Sequence, residues 1–239
     1  MVAIFFEPGN SQLQRSKDRV EYGRVAGSKI NQDGRSASIT APSGPSQTAC
    51  INACLREACL SPADISFGEC HGTGTSLGDP IEVGSSRMVM DAFTRTDPYI
   101  MGAVKSQVGH LELGAGTVGI LRVLAGLIRG TITPTNHLYS LNDHFSVEGF
   151  PLLLPTEAVC LGKTESFSGV CSFGFGGTNA RMELWVQKKR FEPSSQENLP
   201  LSSEPVLFNT AVCPKCQGEM CHLCSIAIPK SAHFLRRHH

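Results

Sequence analysis

Two histidines stand in glycine-containing segments where a chain leaving a strand would present them. His71 opens His-Gly-Thr-Gly-Thr, and His110 closes Lys-Ser-Gln-Val-Gly-His. A neutral imidazole donates through one ring nitrogen while the other is held by a partner, so two rings aimed at one point can stabilise an enolate or oxyanion. The neighbouring glycines let a substrate chain pass close to the backbone. Thr73 and Thr75 add hydroxyls on one side of the first loop, suited to the amides of an extended ligand. Lys105, five residues before His110, is placed to fix local charge and orient a ring. Two other readings stay open on chemistry alone. A histidine at a strand end is commonly a satisfied structural group, and a glycine-rich loop ahead of a helix can cradle phosphate. The loop does lack the terminal Gly-Lys-Ser/Thr of a Walker sequence.

The elements that must carry these residues alternate between strand and helix. Val20–Ile30 reads as a strand running into an Asn31–Gly34 turn, and the 41–45 break precedes a helix over Ser46–Leu60. In that helix Cys50, Ile51, Cys54, Leu55, Ala58 and Cys59 form an apolar stripe. A short strand, Ile65–Cys70, delivers His71 into a loop ending at Asp79, and Pro80 opens a helix through Met90 to Phe93. Ile100–Val104 reads as a strand, Lys105–Gly109 as a loop and Leu111–Ile128 as a long helix, whose Gly114, Gly116 and Gly119 would admit another backbone. Residues 130–165 are loop-rich with short strands. Ser168–Phe173 and Ala180–Val186 read as strands flanking the tight loop 174–179. The pattern predicts an α/β layered domain over residues 20–186, with 1–19 an incomplete lead-in and 187–239 an unstructured Cys/His-rich tail.

Composition excludes several classes. Lys plus Arg and Asp plus Glu both number 21, so there is no net field to hold nucleic acid or an anionic membrane. No apolar run approaches the roughly 20 residues that span a bilayer. The start has neither the basic nor the long apolar region of a secretory signal, while a transit peptide stays open. The ten cysteines fall largely in helical and strand-like segments, as small hydrophobes of a reducing compartment do. An intracellular protein is expected, with cytoplasm and plastid not distinguished.

Four segments, in order and at fitting spacing, resemble the second half of type I (polyketide-type) β-ketoacyl synthases. They are Asn31-Gln32-Asp33-Gly34-Arg35 with Thr40-Ala41-Pro42, then His71-Gly72-Thr73-Gly74-Thr75 with Gly78-Asp79-Pro80-Ile81-Glu82. Val104-Lys105-Ser106-Gln107-Val108-Gly109-His110-Leu111-Glu112 follows, and Ser172-Phe173-Gly174-Phe175-Gly176-Gly177-Thr178-Asn179 is last. The resemblance implies a thiolase-like layered α/β/α fold, of which this chain supplies the second, C-terminal half. It further implies a decarboxylative Claisen condensation between a malonyl-type extender and an acyl chain, both carried as thioesters. His71 and His110 are then the donors to the thioester carbonyl, and Lys105 organises the pocket. Thr73 and Thr75 line the phosphopantetheine arm of an acyl carrier protein, Phe175 gates the acyl pocket, and Asn179 joins the substrate-binding residues. The domain itself is expected to bind no cofactor. Its partners are an acyl carrier protein and a ketosynthase first half or dimer partner.

The resemblance also locates what this sequence lacks. The family nucleophile is a first-half cysteine in a segment like Thr-Ala-Cys-Ser-Ser; the near match Thr48-Ala49-Cys50 falls on the core stripe of a helix, where a reactive thiolate has no support. The nucleophile is therefore expected in an N-terminal half. Gln107 stands where asparagine is usual and is expected to shift its loop, Cys70 replaces a small residue, and Arg181 replaces histidine. Glu112 is expected either to pair with Lys105 or to favour a helix N-terminus. Half of such a fold would leave a large apolar sheet face exposed. Cys213, Cys216, Cys221 and Cys224 form two Cys-x-x-Cys pairs that could hold zinc, but only four residues separate the pairs, and a metal-free tail is expected. The competing reading is a non-catalytic ketosynthase-like partner or scaffold protein, or a truncated relic. A thiolase fits these motifs least.

Overall fold

Two short strands, β2 (Ile65–Glu69) and β3 (Tyr99–Gly102), have every residue buried, which requires cover on both faces of the sheet that contains them. The computed structural model, which describes residues 22–34, 41–92, 95 and 97–188, supplies that cover. The sheet has six strands in the order β1-β8-β7-β2-β3-β5, with β1 at Arg24–Gln32, β5 at Leu152–Leu153, β7 at Glu165–Phe173 and β8 at Thr178–Gln187. The pairs β2–β7, β2–β3 and β3–β5 are parallel; β1–β8 and β7–β8 are antiparallel. Strands β4 (Thr131–Ile132) and β6 (Val159–Cys160) form a separate antiparallel pair.

Helix α1 (Gly44–Ala58) and helix α2 (Gly78–Met90) pack on one sheet face, where Ile51, Leu55, Val83 and Met90 meet Ile65, Tyr99 and Met101. Helix α4 (Ala115–Arg129) covers the other, packing Val123 and Leu127 on Phe67, Val170 and Leu184. The glycines expected to admit another backbone admit side chains instead: a Cβ at Gly119 would sit 3.2 Å from the side chains of Glu69 and Val170, and one at Gly116 3.2 Å from that of Ser172. The layering is α/β/α, as a thiolase-like half requires. It corrects the expectation of a bare sheet face, because both faces carry helices of this chain. Exposed apolar side chains remain at Val25 and Ile30 on the edge strand β1, at Met88 on α2, and at Leu111, Leu113 and Leu121 around the start of α4.

Helix boundaries follow local chemistry. Ser43 caps α1 by accepting the Ser46 N–H, and Pro45 occupies its first turn. At the other end Cys59 takes a left-handed conformation, φ 54°, that ends the helix and leaves the residue exposed. This corrects its assignment to the core stripe. Nine residues after Cys50 lie half a turn round a helix, away from the buried face that Cys50 and Cys54 share. The expected loop over 105–109 contains a helical turn, α3 (Lys105–Val108), and Gly109 stops it at φ 75°. The long helix expected from Leu111 begins at Ala115, because Glu112 at φ 47° breaks the path into a 3-10 turn over Glu112–Gly114. Among the described residues, no helix is long and apolar enough to cross a membrane.

Candidate active site

The His71 loop is held by carboxylates of the helix that follows it. Its backbone leaves β2 with Cys70 N donating to Gly102 O at 2.8 Å. The N–H groups of His71 and Gly72 then donate to the two carboxylate oxygens of Glu82, at 2.7 and 2.9 Å. Gly74 N donates to both oxygens of Asp79 at 3.1 Å, and Gly78 N to Thr75 Oγ1 at 3.0 Å. Gly72 and Gly74 take φ of 47° and 75°, and a Cβ at Gly72 would meet that of Ala103 at 2.6 Å, so a side chain there is excluded twice over. Glu82 is fully enclosed. Burial outweighs the two N–H donors and pushes its carboxyl up to about 7.

His110 arrives from the other side, after α3 and Gly109. Its Nδ1 accepts the N–H of Glu112 at 3.1 Å, so in the neutral ring Nε2 carries the proton. The ring centroids of His71 and His110 are 5.6 Å apart and the planes meet at 87°. Phe173 backs the His71 ring at 5.7 Å. Burial, with Lys105 and His110 adding to it, lowers His71 to about 4, so this ring is neutral at physiological pH. Lys105 is itself lowered by burial, opposed first by Glu82 and then by Glu69. Among the described residues no ion pair joins Lys105 to Glu112; Glu112 instead spends its N–H on fixing the His110 tautomer. The loops thus bring two imidazoles and the Lys105 amine together, an arrangement whose N–H donors favour charge developing on an oxygen.

The other expected site residues fall in different places. Thr73 and Thr75 lie on the loop with their hydroxyls 3.5 Å apart, at its exposed side. Phe175 is 82% exposed at the tip of the β7–β8 hairpin, and Phe173 is the ring beside His71. Asn179, expected among the substrate-binding groups, is buried and its amide donates to Asn31 Oδ1 at 3.1 Å and Asp33 Oδ1 at 2.6 Å. That corrects its role: it ties β8 to the end of β1. Cys50 is buried, as its helical position predicts, with its thiol 3.5 Å from Lys29 O and its pKa raised by burial. Arg181 is buried too, its Nε donating to Glu183 Oε1 at 2.7 Å and its Nη1 facing Cys171 Sγ at 3.2 Å. Gln107, the longer amide, donates across to Pro134 O at 2.8 Å. Cys213, Cys216, Cys221 and Cys224 lie outside the described residues; among those described, no group of three or more His, Cys, Asp or Glu could hold a metal.

Sequence reasoning quoted Asp79, Glu82 and Phe173 without giving them a task, and it passed over Glu69 and Arg122. A signal existed for both of the latter. Glu69 is the lone charge of an otherwise uncharged strand, and Arg122 interrupts the apolar run of α4. A cavity of about 490 Å³ lined by Leu138, Tyr139, Leu141, Val147, Phe150 and Leu152 contains neither histidine.

Residues 22–139 match the family described as β-ketoacyl synthase, C-terminal domain. Among curated proteins, the chain is 35% identical over 166 residues to highly-reducing polyketide synthase 1 of Aureobasidium melanogenum, covering 69% of this chain and 8% of that protein. It is 36% identical over 184 residues to naringenin synthase of Pestalotiopsis fici, covering 73% and 7%. Among solved structures, the ketosynthase from module 6 of the bacillaene synthase of Bacillus subtilis superposes with a TM-score of 0.67 at 36% identity, over 70% of this chain and 31% of that one. An oxazolomycin ketosynthase domain of Streptomyces albus gives 0.66 at 29%, over 72% and 30%. The chain thus spans less than a tenth of these curated relatives and about a third of a ketosynthase.

Proposed function

Over residues 22–139 this chain belongs to the β-ketoacyl synthase C-terminal domain family, and from that premise we propose that it supplies the decarboxylating side of a polyketide-type condensing site. The observation that carries this reading is the pair of rings, His71 and His110, 5.6 Å apart, one held neutral by burial and the other fixed as its Nε2–H tautomer. Both donate to the carbonyl oxygen of a malonyl-type thioester borne on the phosphopantetheine of an acyl carrier protein. The bond to the carboxylate breaks, carbon dioxide leaves, and its bonding pair becomes an enolate whose oxygen the two N–H groups stabilise. The enolate carbon then attacks an acyl thioester and expels its sulfur as thiolate. Lys105 adds positive charge beside the rings, and Thr73 and Thr75 line the carrier arm.

The acyl-bearing cysteine is not one of those enclosed in this domain. Burial raises the Cys50 and Cys70 thiols and pushes Cys54 and Cys171 up to about 12, which suppresses the thiolate each would need. The nucleophile belongs to the first half of a ketosynthase, joined to this domain or provided by a partner. Reconstitution tests the reading: the chain combined with a ketosynthase first half carrying an acylated cysteine should convert malonyl carrier protein into a β-ketoacyl product detectable by mass spectrometry. A chain that assembles with the first half and yields neither product nor carbon dioxide is instead a scaffold protein.

A further inference from the structure

One buried ion pair touches the supports of both histidine loops. Glu69 is two residues ahead of His71, at the end of β2, and faces the α4 side of the sheet. Its Oε1 accepts the N–H of Val104, the residue before α3, at 2.7 Å, and its Oε2 meets Arg122 Nη1 at 2.5 Å. Arg122 lies on α4, twelve residues after His110, with its guanidinium 5.2 Å over the Phe67 ring. Its remaining donors go to the start of the next loop: Nη2 to Thr133 O at 2.6 Å and Pro134 O at 3.5 Å, and Nε to Thr133 Oγ1 at 3.0 Å.

Thr133 opens a strap, Thr133-Pro134-Thr135-Asn136, that lies along α3. Gln107 donates to Thr133 Oγ1 and Pro134 O at 3.3 and 2.8 Å. Ala103 N donates to Thr135 Oγ1 at 3.3 Å, and Asn136 N to Ser106 Oγ at 3.0 Å. A four-residue helix has too few internal hydrogen bonds to hold its own orientation. Here the strap and Glu69 supply the missing contacts, and α3 carries Lys105 at its start and releases His110 at its end.

We propose that Glu69 and Arg122 are positioning residues of the two-histidine site, coupling the end of β2 to α3 through the Thr133–Asn136 strap and so setting the distance between His71 and His110. The proposal rests on the condensing reading for its purpose but not for its geometry. Stability alone gives little reason for such a pair, since two buried charges lose hydration that an apolar pair of similar volume would not. Orientation gives one: an apolar pair would leave Val104 N–H and Thr133 O without their partners. Glu69 also acts electrostatically, opposing with Glu82 the downward pull of burial on Lys105.

The test reads the rings rather than turnover, so failure of condensation and failure of positioning are distinguishable. In the full chain with isotope-labelled histidines, resonances assigned through H71Q and H110Q report the pKa of His71 and the through-space contact between the rings. E69Q should weaken that contact and move His71 upward from about 4, by about one pH unit, as Lys105 and His110 move away. R122K, which keeps the charge and loses the fork to Thr133, should give an intermediate shift. A folded E69Q with unchanged ring contact and titration overturns the proposal, even if its melting temperature falls. If E69Q does not fold, T133V decides: it removes the hydroxyl shared by Arg122 and Gln107, and a His110 resonance identical to wild type overturns the proposal.

Discussion

The ring of His71 stands at 87° to that of His110 with 5.6 Å between centroids, although the two residues leave different strands and are 39 positions apart. With His71 held neutral, an edge-to-face pair of imidazoles can direct two N–H groups at a single acceptor without the repulsion that two imidazolium ions would suffer. The geometry depends on a different hold at each loop: Glu82 and Asp79 grip the backbone of the first, and the Glu112 N–H fixes the His110 ring of the second through Nδ1.

Protonation should act on stability in two opposed ways. The Glu82 carboxyl is raised from 4.5 to about 7, so its contribution is complete below pH 4.5 and is lost as pH rises through about 7. His71 is lowered from 6.5 to about 4, so its contribution is complete above pH 6.5 and is lost as pH falls toward about 4. Each is on the order of 3 kcal/mol and the windows overlap, so the wild-type chain should show a shallow profile there. Urea unfolding of H71F should expose a decline in stability with rising pH, and E82Q an increase.

The same E82Q change should weaken the loop itself. An amide offers one acceptor oxygen and presents its NH2 to the second backbone N–H, leaving His71 or Gly72 unsatisfied at about 1–3 kcal/mol. Hydrogen exchange at His71 and Gly72 should accelerate in E82Q while the amides of β7 and β8 stay protected.

Alkylation should follow exposure. Peptide mapping after brief iodoacetamide treatment should find Cys59 and Cys160, which are exposed, modified ahead of Cys50, Cys54 and Cys171, which are buried. Rapid, selective labelling of Cys50 would contradict its place in the core.

Gly169→Ala should be among the most damaging small changes in the domain. A Cβ there would overlap the Arg181 guanidinium, so the buried Arg181–Glu183 pair must be displaced. A loss of about 3 kcal/mol in a urea titration is expected.

The histidines were legible because each follows a strand read from its apolar residues, and parallel neighbours β2 and β3 end on the same side of a sheet. The sheet order was not. It depends on β7 pairing with β2 across nearly a hundred residues, which no local pattern encodes. Glu82 escaped assignment because an acid early in a helix is already explained by the helix dipole; only the folded loop shows that it binds two backbone amides. Asn179 misled for the converse reason, since a polar residue in a glycine-rich loop looks like a ligand contact until its amide is seen joined to Asn31 and Asp33. The 3-10 turn after His110 was hidden because Leu111 to Gly114 continues the apolar period of α4 while its backbone does not.

Decarboxylation of malonyl carrier protein, followed by mass spectrometry with the chain paired to a ketosynthase first half, tests the central claim most directly. Carbon dioxide should be released by the wild-type pair, H71A and H110A should each slow it by about 10²–10³-fold, and C50S should leave it unchanged. Release at the wild-type rate from either histidine variant would contradict the two-donor site.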